Sequence, residues 1–143
     1  MLSCGRGNLK LMLVTITDYH HLMGLLDMAK LKNHVTPTMA KLVQSLQTAR
    51  RYTQVNIPKD VITMNSRVML EDKTTASQIV ITLTYPHHAD LAQRKVSVFS
   101  PEGCDLLGAR EGDMVSWAVP DGAISYRVKK VIYQPEAEGH FYL

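Results

Sequence analysis

Apolar residues recur in steps of three and four along the first third of the chain, then in steps of two. Leu11 to Ile16 is a short apolar, β-branched run and predicts a strand. Thr17 and Asp18 follow as caps for a helix. Tyr19, Leu22, Leu26 and Ala29 form one helical stripe. Lys30 to Val35 has no period. Thr36-Pro37 is a second start signal, with threonine as cap and proline at the first helical position. Met39, Leu42, Leu46 and Ala49 repeat the stripe, and Val43 widens it. Two such helices joined by a short loop should fold back as an antiparallel helical hairpin, each stripe buried on the other. The first reads as roughly three turns and the second as roughly five. Pro58 ends the region.

From Val61 onward the period is two. Val68 and Leu70 share a strand. Ile79, Ile81, Leu83 and Tyr85 take one face of the next, and Pro86 ends it. Val96 and Val98 open a third. Ser100 then caps a short helix with Pro101 at its first position and Glu102 near its positive end. Leu106 and Leu107 face the core and Gly108 ends the helix. Gly112-Asp113 turns the chain. Val115, Trp117 and Val119 form a strand, Pro120-Asp121-Gly122 reverses it, and Tyr126, Val128 and Ile132 return. Gln134 to Leu143 reads as a tail. The class is α+β: a helical hairpin over 1–58, then over 59–143 a twisted antiparallel sheet with one small helix.

With 143 residues the chain has room for one domain, or one small domain and an appendage. Its two cysteines, Cys4 and Cys104, make no disulfide framework, and with eight methionines a reducing cytoplasm is expected. The run 11–16 falls short of the ~20 residues that cross a bilayer, so no membrane partner is expected. Arg6 and Lys10 precede it as a signal sequence requires, but no small-residue cleavage site follows. Met1 to Asn8 reads as a loose leader. Charge is uneven. Residues 1–60 hold eight Lys/Arg and three Asp/Glu, a net +5; residues 61–143 hold eight and ten, a net −2. That asymmetry fits an anionic partner for the front half, or a solvated helix surface.

Ser100-Pro101-x-Gly103, Leu106-Leu107-Gly108, Gly112-Asp113-x-Val115, Pro120-x-Gly122 and Tyr126-x-Val128 match, in order and spacing, the C-terminal domain of the Gre transcript elongation factors. Val61-Ile62-Thr63-Met64-Asn65-Ser66-Arg67-Val68 and Tyr133-Gln134-Pro135-Glu136-Ala137 resemble the short-armed members of that family, the regulators of nucleoside diphosphate kinase. The resemblance implies an FKBP-like C-terminal domain. It also implies docking on bacterial RNA polymerase at the rim of the secondary channel, with the coiled-coil-like arm pointing inward. Ser100, Pro101 and Glu102 are the residues expected to face the polymerase.

Gre factors carry a long coiled coil with two neighbouring carboxylates at its tip, which help to hold a catalytic Mg²⁺. Here the tip is Leu31-Lys32-Asn33-His34-Val35-Thr36, without an acid. Asp27 is the nearest carboxylate, and Lys30 and Lys32 flank the loop. A hard cation needs carboxylate oxygens and is repelled by ammonium groups. The expectation is therefore a non-enzymatic transcription regulator that does not stimulate transcript cleavage. Lys30, Lys32, Arg50 and Arg51 are expected to lie near nucleic acid, DNA included, or acidic polymerase surface. Two other functions stay open: a transcript-cleavage factor, and an FKBP-like peptidyl-prolyl isomerase or chaperone, which needs an aromatic-lined pocket.

His20-His21 and His87-His88 invite a metal reading. Adjacent histidines diverge on helix and strand alike, so surface or half-buried histidines are the expectation, with no metal and no cofactor. Cys104 has no base near it in sequence and reads as a buried small hydrophobe. The methionines at 12, 23, 28 and 39 read as core filler.

Overall fold

The computed structural model describes residues 11–120 and 122–141, with backbone only at 117–119. The leader at 1–8, Cys4, Asp121 of the hairpin turn and the end of the tail lie outside the described residues, as does the side chain of Trp117, expected above on a strand.

Strand β1 (Leu13–Thr15) leads directly into helix α1 (Ile16–Leu31). Thr15, not Thr17, caps it: the Asp18 N–H donates to Thr15 Oγ1 at 3.0 Å. Helix α2 (Pro37–Gln47) starts where Thr36-Pro37 predicts, with the Met39 N–H donating to Thr36 Oγ1 at 3.1 Å. The lengths reverse the expectation, with 16 residues in α1 and 11 in α2. Two causes are visible. α1 stays apolar beyond its stripe, through Leu25, Met28 and Leu31. α2 stops early because the Thr48 hydroxyl turns back onto the Gln44 and Ser45 carbonyls and the chain becomes extended.

That extended piece is strand β2 (Arg50–Tyr52). It pairs in parallel with β1, Leu13 opposite Arg50 and Thr15 opposite Tyr52. The Arg50 N–H donates to the Met12 carbonyl at 2.9 Å. The start of α1 and the end of α2 are thereby tied at one place. Leu22 and Leu26 of α1, with Leu42 and Leu46 of α2, are buried there.

Strands β3 (Arg67–Asp72), β4 (Gln78–Thr84), β5 (Lys95–Ser97), β6 (Met114–Val119) and β7 (Gly122–Tyr133) form one sheet in the order β5-β4-β3-β7-β6. The expectation of a purely antiparallel sheet is corrected: β4 and β5 are parallel, Leu83 opposite Val96. Two 3-10 turns, Pro86–His88 and Leu91–Gln93, carry the chain back so that β5 runs in the direction of β4. Arg94 closes the second turn in left-handed geometry.

Helix α3 (Pro101–Leu106) lies against β5 and β6, and Ser100 caps it by accepting from the Gly103 N–H at 3.1 Å. A Cβ at Gly103 would strike the Ser97 carbonyl, so glycine is what lets the helix sit this low. Gly108 has φ +79, and a Cβ there would strike the Met12 side chain and the Leu13 backbone. It brings the end of α3 against β1.

Leu22, Leu42, Leu46, Ile62, Leu70, Leu83, Leu106 and Leu107 are fully buried and belong to one continuous core under helices and sheet. The architecture is α+β. The expected loose tail is corrected at its start. Gln134 is 3% exposed, and its Nε2 donates to the carbonyls of Pro58 at 2.8 Å and Val61 at 2.7 Å. Among the described residues no helix is long and apolar enough to cross a membrane.

Candidate functional site

The loop between α1 and α2 holds the expected tip residues together. Lys30 lies in the last turn of α1 and Lys32 is its C-cap. Asn33 adopts φ +55, a left-handed geometry asparagine tolerates, and turns the chain. Asp27, Lys30, Lys32, Asn33 and His34 are all exposed. Asp27 and Lys30 line a shallow groove of about 300 Å³ with Met23, Leu26, Val35 and Val43. The surface around it is more apolar than the lysines suggest: Leu31 is 79% exposed and Met28 51%. No second carboxylate joins Asp27 between residues 28 and 36.

Arg50 and Arg51 are not on a helix. They sit on β2, at the tied end of the helix pair. The Arg51 guanidinium stacks over the Tyr19 ring at 3.8 Å, and Arg50 lies 5.6 Å from the Tyr52 ring. Both side chains stay exposed, but the structure does not bring them to the tip. Ser100 and Glu102 are half-buried and Pro101 is exposed at the start of α3. The Ser100 hydroxyl also donates to the Ser97 carbonyl at 2.7 Å.

Against the expected divergence, His21, His87 and His88 gather around Tyr85. His21 faces Tyr85, which stacks against His87, and the His87 and His88 rings lie 4.0 Å apart. Among the described residues no group of three His, Cys, Asp or Glu side chains converges at metal-binding spacing. Cys104 is fully buried, as read, but it is not a free thiol, so the reading as a plain hydrophobe is incomplete and a nucleophile role is removed.

Sequence reasoning missed a buried polar joint between α1 and the sheet. Asp18, read as a cap, is 4% exposed. Its Oδ2 accepts from the Met64 N–H at 3.1 Å, across 46 residues of chain. The Thr15 and Tyr85 hydroxyls lie close to its carboxyl. Tyr85 Oη lies 3.4 Å from His21 Nδ1. Beside them the Thr63 hydroxyl donates to Glu136 at 2.7 Å, and Thr63 and Ser66 Oγ share a bond of 2.9 Å. Burial, and then the negative charge of Glu136, push the Asp18 pKa up to about 7; the Met64 N–H and the two hydroxyls pull the other way. Burial and the Asp18 carboxylate raise Tyr85 above its ordinary value. One signal was available: Thr15-Ile16-Thr17-Asp18 has capping-box spacing. It marks the helix start but not the partner of the carboxylate.

Residues 57–133 match the family model described as transcription elongation factor, GreA/GreB, C-terminal. The regulator of nucleoside diphosphate kinase of Escherichia coli K12 is 36% identical over 108 residues, 75% of this chain and 79% of that protein. The transcription elongation factor GreA of Clostridium botulinum is 31% identical over 91 residues, and the match spans 57% of its length. Among solved structures, a prokaryotic GreA/GreB elongation factor from Nitrosomonas europaea is 30% identical, with TM-score 0.77 over 85% of this chain and 99% of its own.

Proposed function

This chain belongs to the GreA/GreB transcription elongation factor family, and on that premise we propose that it is a non-enzymatic regulator that docks on bacterial RNA polymerase at the secondary channel. Residues 59–143 form an FKBP-like docking domain in this reading. Residues 1–58 form a short antiparallel, coiled-coil-like arm, and the whole works in the cytoplasm without cofactor or metal. Ser100, Pro101 and Glu102 face the polymerase. Lys30, Lys32 and His34 meet acidic surface or nucleic acid at the tip. Arg50 and Arg51 add positive charge at the arm's base, where DNA or RNA could pass.

The observation that carries the reading is the tip itself. Residues 28–36 contain two lysines, a histidine and no carboxylate. Such a tip cannot share in holding Mg²⁺, which asks for oxygen ligands in tight octahedral geometry. The arm is also short: 16 residues of α1 span roughly 24 Å at the helical rise. The proposal is therefore occupancy of the channel without stimulation of cleavage. A cleavage assay on backtracked polymerase tests it. The transcript should stay full length under saturating protein; clear shortening defeats the proposal.

Isomerase activity finds less support. Tyr85, Phe99 and Tyr126 pack against the core.

A further inference from the structure

We propose that the polar joint between α1 and the sheet is a proton switch: Asp18 in its protonated form holds the helix pair on the sheet, and loss of that proton loosens the attachment.

The geometry comes first. Asp18 sits in the first turn of α1, directly after the strand that ties the helix pair at its base. Its carboxyl accepts from the Met64 N–H in the segment entering β3, and Tyr85, just after β4, stands beside it. Helix and sheet are thus pinned through one acidic side chain at 4% exposure.

The titratable and charged groups that reach this joint are few. Glu136 comes from the turn after β7, and Tyr85 from the end of β4. His21 is on α1 itself and His87 stacks on the outer side of Tyr85. Thr15, Thr63 and Ser66 contribute only neutral hydroxyls. Among the described residues no lysine or arginine pairs with Asp18 or Glu136. A carboxyl buried this deeply, beside the charge of Glu136 and without a cation, is disfavoured as an anion, so Asp18 keeps its proton to higher pH. When it leaves, the carboxyl O–H bond breaks, the proton passes to water, and the anion stays behind with neutral donors alone. Opening the joint hydrates that anion, so the open form gains as pH rises.

The sign follows from linkage. A carboxyl whose pKa is raised in the closed form from 3.8 to about 7 contributes stability that is present below the lower value and is lost as pH rises to the higher. The opening equilibrium should climb by about tenfold per pH unit over that window and level off above it. The joint stands apart from the polymerase reading; only its consequence, that pH sets how firmly the arm is held for docking, rests on it.

The test needs no polymerase. The carboxyl ¹³C signal of Asp18, assigned by its loss in Asp18→Asn, is titrated in the full chain. Amide exchange of Val14 to Leu22 is followed over the same pH range and corrected for intrinsic rates. Asp18 should titrate near neutrality, and protection of those amides should fall up to that midpoint and then stay level. In Asp18→Asn the protection should be independent of pH. Asp18 titrating in the ordinary carboxylate range overturns the proposal, as does protection that ignores pH in the parent chain. If Asp18→Asn does not fold, Glu136→Gln decides. Removing that neighbouring charge should move both the midpoint and the loss of protection to lower pH, and a variant that moves neither overturns it.

Discussion

The Met64 N–H donates to Asp18 Oδ2 at 3.1 Å, so the first turn of α1 is hydrogen-bonded to the segment that enters the five-stranded sheet. This bond is where the helix pair and the sheet meet in polar terms, and the first prediction concerns it.

Asp18→Ala leaves the buried Met64 N–H short of a partner, at about 1–3 kcal/mol. It also removes an anion that is poorly placed once ionised. The cost should therefore be larger at pH ~5.5 than at pH ~8, since the penalty of the buried charge grows as pH rises to the Asp18 midpoint. Urea unfolding at the two pH values checks this. An equal cost at both would mean that Asp18 carries no unusual proton.

Gly108→Ala should destabilise by roughly 2 kcal/mol or more, because alanine meets both an unfavourable backbone region and the Met12–Leu13 segment. Gly112→Ala shares the positive φ but faces open space, and should cost about 1 kcal/mol. Denaturant midpoints should rank the two in that order. The reverse order would place β1 away from the end of α3.

The local signals of the fold were legible in the chain. Thr36-Pro37, Ser100-Pro101 and the Gly108 stop each act within a few residues, where capping and turn chemistry dominate. Alternation likewise marked β3, β4 and β7. Long-range pairing was not legible. β1 and β2 pair in parallel although more than 30 residues of helix and loop separate them, and no local pattern in Arg50-Arg51-Tyr52 announces that partner. The parallel β5 depends on how two 3-10 turns steer the chain. Asp18 carried a cap signal that was true of its N–H and silent on its carboxylate. Gln134 and Glu136 looked like a polar tail because their partners, Pro58, Val61 and Thr63, lie more than 70 residues away. The tip residues, in contrast, sit where the break in periodicity placed them.

Arg51→Ala removes the cation over Tyr19 and should cost about 0.5–1 kcal/mol, while Arg50→Ala, with its longer approach to Tyr52, should cost less. Thermal unfolding of both variants tests the assignment of Arg51 to the base of the helix pair. Equal, negligible losses would return Arg51 to the role of a free surface charge.

Replacing Pro101 and Glu102 together, with Ser100 kept as the α3 cap, should weaken binding to core polymerase by about tenfold without lowering the unfolding temperature. Ser100→Ala, which loses the bond to the Gly103 N–H, should instead cost about 1 kcal/mol of stability. Unchanged affinity in the double variant would take this loop out of the interface.

The most direct measurement is competition on core RNA polymerase between this protein and a full-length GreA. The account predicts mutual exclusion, with added protein displacing labelled GreA along a single-site curve. A stable ternary complex, or no binding of this protein at all, would contradict it.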